Sequence, residues 1–423
     1  MRSAIWCVLW VICLAGGIGA AAETTAKNLG PDYGAADFTP SRIRPLGFRG
    51  AGNGEYPAAA PPTQWDQKKN IRWQRTVGES YSSPIATPAL VFITTEPNLL
   101  IALNRSDGDV RWKIATTAVE LADPKERKIV EDYEPPRGGA GLTAATALCD
   151  GQNVYVVLSN GLVRAVSMDG KPRWIVLIGS KLNTPFGRSA SPVLAAGKLI
   201  VHMGELYAFD PDNGKLLWVN KEICSTYGTP VACKVGNVDI IATPDGSLVN
   251  AQDGKTLHVG HHQGDYQSPL AHGGVIYYGS DEVLAIGISA NLKIEELWRG
   301  RTRGGIMGSP VLVDGRLFTA TMGARLYAFD TTSKGGVEPS IDGRAPGAGA
   351  GAGAPLDTYA SLIHAGKFTF LNTNGGEMIV LEATREAKFL RSNRLPKGTG
   401  STPAFLGQDI FVRNGAVLYC ISE

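Results

Sequence analysis

Ala208-Phe209-Asp210-Pro211-Asp212-Asn213-Gly214-Lys215-Leu216-Leu217-Trp218 joins two strands through a tight turn. An apolar run ends at Asp210. Asp, Pro, Asn and Gly then supply the special backbone angles of a turn, and Lys215 opens the next strand, which carries Trp218. The five residues 206–210 (LYAFD) return unchanged at 326–330, 120 residues later. That distance is three periods of about forty, and a period in this range with four short strands per unit belongs to a β-propeller. One such unit cannot bury its own apolar face, so the units must stack side by side and close into a ring.

The copy at 188–220 defines the unit. Residues 191–194 form a short inner strand, Gly197-Lys198 turns the chain, 199–203 and 206–209 form the second and third strands, and 215–220 is the outer strand. Sliding this template along the chain places inner strands at Pro84, Thr146, Pro192, Pro230, Pro269, Pro310, Leu362 and Pro403, hence eight blades. The last unit stops after a third strand, 417–420. Residues 70–76 read as an outer strand with nothing before it, and Trp73 sits where Trp112 and Trp218 sit in their blades. The N-terminal strand is therefore expected to complete the C-terminal blade and leave no unpaired edge there. The expected fold class is all-β, a single eight-bladed propeller spanning 69–423.

Composition agrees with dense turns around packed strands: 52 Gly and 25 Pro accompany a hydrophobic fraction of 43%. A net charge of +2 offers no sustained field for nucleic acid or an anionic membrane, so no nucleic-acid partner is expected. Arg2, the apolar run 4–14 and the small residues up to Ala22 read as a signal peptide over 1–22,. An uncleaved anchor is the alternative, because 4–22 is just long enough to span a bilayer. Either reading puts the propeller outside the cytoplasm, periplasmic or secreted. It is expected to be a monomer with no transmembrane domain once the signal is cleaved. Residues 23–68, rich in Gly, Pro and Ala, read as an irregular lead-in running over the propeller surface. Two insertions interrupt the repeats: a charged, Pro-containing one at 117–142 and a Gly-Ala one at 334–355, the latter a flexible loop,. No useful helix is expected. Of the cysteines left after the signal, only Cys224 and Cys233 lie close enough in sequence to suggest a disulfide.

The repeat resembles the tryptophan-docking motif of propellers related to pyrroloquinoline quinone (PQQ) enzymes. Ala208, Asp210, Gly214, Lys215 and Trp218 match it, Ala102, Asn104, Gly108 and Trp112 match with one change, and Ala165, Gly170, Lys171 and Trp174 match one residue short. Phe48-Arg49-Gly50, Gly54, Pro61-Pro62, Trp65 and Asn70-Ile71-Arg72-Trp73 look like the lead-in of PQQ-binding-like β-propeller repeat proteins. The resemblance covers essentially the whole mature chain. It implies the quinoprotein alcohol dehydrogenase-like propeller fold, and the group includes a non-enzymatic scaffold lipoprotein of the outer-membrane β-barrel assembly machinery. The quinone dehydrogenases carry an adjacent Cys-Cys pair beside the cofactor, together with a calcium site and a catalytic Asp. No two cysteines are adjacent here, and no Glu/Asn/Asp set can be matched to those positions. No cofactor, metal or catalytic residue is therefore expected.

Three residues before each inner-strand start lie Tyr81, Thr143, Ser189, Tyr227, Tyr266, Met307, Tyr359 and Gly400. By propeller geometry these positions ring the central funnel on one face. Tyrosine offers a stacking surface and a hydroxyl, as binding surfaces do. Arg188 and Arg303 fall beside the same ring. Tyr81, Arg188, Tyr227, Tyr266, Arg303 and Tyr359 are thus the candidate ligand- or partner-binding residues, against the alternative that the tyrosines only pack between blades. His258, His261, His262 and Asp265 form the one metal-like cluster and read more simply as a polar loop,. The function expected is a non-catalytic extracytoplasmic scaffold for an envelope or secreted protein partner. The alternatives are a quinoprotein-type oxidoreductase with PQQ and calcium, or a carbohydrate-binding propeller.

Overall fold

The computed structural model describes residues 31–423 apart from 180–183, 224–226, 261, 263, 265, 345–357 and 399. The signal reading (1–22), Cys224, His261 and Asp265 lie outside the described residues, while Cys233 is a free thiol. No described helix is long and apolar enough to cross a membrane.

Eight sheets, antiparallel apart from one added strand each in blades five and seven, form the eight blades of a propeller. Blade three has the strands Val193–Ala195, Lys198–Met203, Glu205–Phe209 and Leu216–Asn220, paired in sequence order. The repeat thus folds as its turns dictate, with a bulge after Ala208 that lets Trp218 face it. Blade eight is built from Ala404–Leu406, Asp409–Asn414 and Val417–Ile421, and its outer strand is Ile71–Thr76. Trp73 pairs with Cys420, so the N-terminal strand closes the ring. Buried Asp409 fixes this junction, taking Arg72 at 2.9 Å and Arg105 of blade one at 2.7 Å.

The tryptophans dock as the motif implies. A Cβ added at Gly108 would lie 2.5 Å from Trp73, and one at Gly254 would lie 2.6 Å from Trp218. Indole N–H groups of Trp73, Trp112 and Trp174 donate to the carbonyls of Arg105, Met168 and Pro211, each in the next blade. Glycine at the turn therefore serves two ends, a positive φ and room for an indole.

Three expectations change. Residues 124–131 are helical (Pro124–Glu131): Asp123 caps the N-terminus by accepting from Lys125 N–H, and proline opens the first turn,. The described part of the second insertion, 334–344, contributes strands rather than a loop. Gly335–Val337 adds a parallel fifth strand to blade five, and Ile341–Arg344 is the outer strand of blade six.

The lead-in is the third and largest change. Instead of running over the surface it is stitched into the ring: Phe38, Leu46, Arg49, Tyr56 and Trp65 are buried. Glu55–Tyr56 pairs in parallel with the inner strand of blade seven, Ile363–Ala365. Leu46 exchanges backbone hydrogen bonds with Cys149 of blade two at 2.8 and 2.9 Å. The Arg49 guanidinium donates to the carbonyls of Gly52, Asn53 and, on blade six, Pro310. Residues 46–55 therefore bridge inner strands on different sides of the ring and plug its central channel. The Phe-Arg-Gly run gains a physical meaning here: Arg49 ties carbonyls of the lead-in and of blade six together, and Gly50, at φ 69°, leaves room for the Tyr56 ring, which a Cβ there would approach to 3.1 Å.

Candidate functional site

On the face where the chain enters each blade lies a cavity of about 1210 Å³, with Phe48 of the plug in its lining. Seven of the eight positions named from the repeat line it: Tyr81, Ser189, Tyr227, Tyr266, Met307, Tyr359 and Gly400. The eighth is Ala144 rather than Thr143. Thr143 is buried, its amide and hydroxyl donating to Glu96 at 2.8 and 2.6 Å.

The one-residue slip in blade two has a cause that sequence reasoning missed. The residue ahead of each inner strand carries a hydroxyl, and in seven blades it accepts a backbone N–H from the preceding blade. Ser83 N–H donates to Thr146, and the chain continues through Ser191, Thr229, Ser268, Ser309 and Ser361 to Thr402 in seven bonds of 2.9–3.0 Å. Thr146 holds this hydroxyl position, so the blade-two strand starts one residue later than expected. The signal was present in the Ser-Pro and Thr-Pro pairs at 83–84, 191–192, 229–230, 268–269, 309–310 and 402–403.

Tyr81, Tyr266 and Tyr359 are 46%, 41% and 39% exposed, which is not the burial of residues wedged between blades. Tyr227 and Tyr266 stack on each other, centroids 5.0 Å apart and planes within 3°. Phe186 packs against Tyr227 at 6.0 Å and extends the aromatic run along the rim. The first insertion borders the same rim: Gly138, Gly139 and Ala140 line the cavity, and Ala140 N–H donates to Phe186 O at 2.8 Å.

The two arginines sit apart from the cavity lining. Arg188 is buried, donates to Ser159 O at 3.3 Å, and has its pKa lowered by desolvation. Arg303 is exposed, and its amide donates to the Tyr327 hydroxyl at 2.8 Å. The charges that do line the funnel come from blade five: Asp281, Glu282, Arg299 and Arg301. Arg299 is held by Glu282 and, at 3.0 Å, by Glu296, which raises the Arg299 pKa and lowers that of Glu296. His262 also lines the cavity, and burial lowers its pKa. Among the described residues no cluster of His, Cys, Asp or Glu could hold a metal ion.

A family model described as outer membrane protein assembly factor BamB matches residues 48–114 and 63–291, more than half of the chain. The chain belongs to this BamB family of PQQ-like propellers. It is 23% identical over 270 residues to BamB of Yersinia pestis, an alignment covering 61% of this chain and 64% of that protein. To BamB of Moranella endobia (strain PCIT) it is 29% identical over 213 residues, covering 48% of each. The chain thus spans about half to just under two thirds of these relatives' length. It is also 30% identical over 157 residues to a polyvinylalcohol dehydrogenase of a Pseudomonas species, covering 29% of this chain and 25% of that one. Two solved propellers share the fold. BamB from Moraxella catarrhalis superimposes with TM-score 0.55 at 13% identity, covering 78% of this chain and 93% of that one. The quinohemoprotein alcohol dehydrogenase of Comamonas testosteroni superimposes with TM-score 0.60 at 11% identity, covering 89% and 79%.

Proposed function

We propose that this protein is a non-catalytic, extracytoplasmic scaffold that holds an envelope or secreted protein partner on its tyrosine face. The observation that carries the reading is the convergence of Tyr81, Tyr227, Tyr266 and Tyr359, scattered over 279 residues of sequence, on one cavity. Exposed aromatic rings on a rigid frame make binding anchors, because they present large area at little cost in side-chain freedom. Membership of the BamB family supports a scaffold role and a periplasmic or secreted location. A monomer suits a ring whose edges are closed within the chain.

A quinone enzyme is the rival reading, and the funnel does not fit it. Among the described residues the carboxylates lining the cavity are Asp281 and Glu282, adjacent at the start of the strand Glu282–Ile288, and Glu282 is already engaged by Arg299. Calcium takes six to eight oxygen ligands, more than these two groups offer. Purified protein given PQQ and calcium is expected to show no stoichiometric uptake and no dye-linked alcohol oxidation; tight calcium-dependent uptake would restore the enzyme reading.

Photocrosslinking tests the scaffold. A benzophenone side chain placed at Tyr81 or Tyr359 in native envelopes should yield a discrete protein adduct, and replacing both Tyr227 and Tyr266 by Ala should abolish it. Adducts that persist in the double variant, or that are glycan and not protein, would remove the reading.

A further inference from the structure

The junctions between blades are not alike, and one that lacks its tryptophan opens onto the funnel. On the outer strands Trp73, Trp112, Trp174, Trp218 and Trp298 share one register position, opposite Cys420, Ala102, Ala165, Ala208 and Ala285. In blades four, six and seven that position, opposite Leu248, Ala328 and Val380, is His258, Ile341 and Arg391, and of these three only His258 lines the cavity. The other half of the docking pair is changed as well. Where Gly214 and Gly254 precede a lysine at the turn with positive φ, blade five has Leu292, at φ 62°, ahead of Lys293. The junction of blades four and five thus holds neither the indole nor its glycine seat.

The space left is part of the cavity. His258 lines it from blade four; Leu284, Ile286 and Arg299 line it from blade five. Ile286 is the counterpart of Val249, a member of the apolar cluster on which Trp218 packs one junction earlier. The wall that elsewhere receives an indole is therefore kept, while the indole is absent. Its chemistry favours a neutral ring. Two aliphatic side chains form one side, and a guanidinium and an imidazole suited to stacking form the rest. The lining charges balance, Arg299 and Arg301 against Asp281 and Glu282, and Arg299 is already paired. The aromatic run from Phe186 through Tyr227 to Tyr266 borders the same cavity.

We propose that this cleft receives an aromatic side chain of the protein partner, seated where five other junctions carry their own tryptophan. The proposal rests on the scaffold reading and names the anchor residue that such a partner must present. It also accounts for His258, whose small ring leaves the seat open where a tryptophan would fill it.

The test uses the full chain with labelled methyl groups and N-acetyltryptophanamide as the probe. Saturable shifts of the Leu284 and Ile286 methyl signals are expected. N-acetylleucinamide and N-acetylaspartamide should bind at least about tenfold more weakly, as anchor pockets discriminate. His258→Trp should fill the seat from within, keep or raise Tm, and weaken probe binding at least about tenfold. Should that variant fail to fold, Ile286→Ala removes the wall and must weaken binding instead. The proposal is overturned by no saturable shift in the natural protein, by equal binding of the leucine or aspartate probe, or by unchanged affinity in a folded variant. The two failures look different: crosslinks from Tyr81 that persist without probe binding would sink the aromatic anchor and leave the scaffold standing, whereas the absence of a protein adduct would sink the scaffold itself.

Discussion

At the residue scale, the docking glycines and a buried carboxylate are the sharpest points. Gly254 and Gly197 both have positive φ, 75° and 71°, but only Gly254 faces an indole; nothing lies within 4 Å of a Cβ at Gly197. Gly197→Ala should cost only the left-handed backbone penalty, about 1–2 kcal/mol. Gly254→Ala adds overpacking against Trp218, about 1–3 kcal/mol more. Paired denaturant titrations measure the difference, and equal losses would show that the indole does not hold the junction. Asp409→Asn removes the charge that Arg72 and Arg105 share. Breaking a buried pair costs about 3–5 kcal/mol. The lower end is expected here, because both arginines are partly exposed and can recover water.

At the scale of elements, the hydroxyl chain and the closing strand decide stability. In seven blades the buried Ser or Thr before the inner strand satisfies an amide of the blade before it. Ser268→Ala strands the Thr229 N–H, and an unsatisfied buried donor costs about 1–3 kcal/mol. Ser268→Thr keeps the hydroxyl and should restore most of the loss in a thermal melt. Removing residues 70–76 exposes the edge of the blade that ends at Ile421. Edge pairing between molecules is then expected, visible as dimers or aggregates by size-exclusion chromatography; a well-behaved monomer would argue against closure by this strand. Acid adds a further check. Burial depresses the His262 pKa below its ordinary value, so its contribution to stability is full above the unfolded pKa of about 6.5 and is lost as pH falls through the lower folded value. His262→Gln should flatten that acid limb of a Tm-against-pH profile.

At the scale of the molecule, the plug and the rim define one open face. The lead-in ties blades two, six and seven together and sets Phe48 into the funnel lining, while Tyr81, Tyr266 and Tyr359 lie exposed on the rim. Tyr227 and Tyr266 should therefore be separable from folding. Replacing both by Ala should alter stability by less than about 1 kcal/mol, as surface changes do, while partner binding loses about 2 kcal/mol or more per anchor. Core-sized losses, about 3–5 kcal/mol per ring, would assign them to packing instead. A melting curve beside the crosslinking yield separates the two outcomes.

The sequence by itself determined the period, the blade count, the ring closure through Trp73 and the set of tyrosines, because all of these are local: turn chemistry and strand alternation repeat every few dozen residues and can be aligned without coordinates. The course of residues 31–69 was decided only by tertiary structure. A Gly- and Pro-rich segment has no periodicity to read, and its position depends on carbonyls of blades two, six and seven that the fold brings around the axis. The start of blade two shifted by one residue for a related reason, since the hydroxyl chain that sets it runs from blade to blade. The open seat at His258 belongs to the same class. A histidine in a tryptophan's place is visible in the sequence, but whether the space it leaves is filled or open depends on the neighbouring blade.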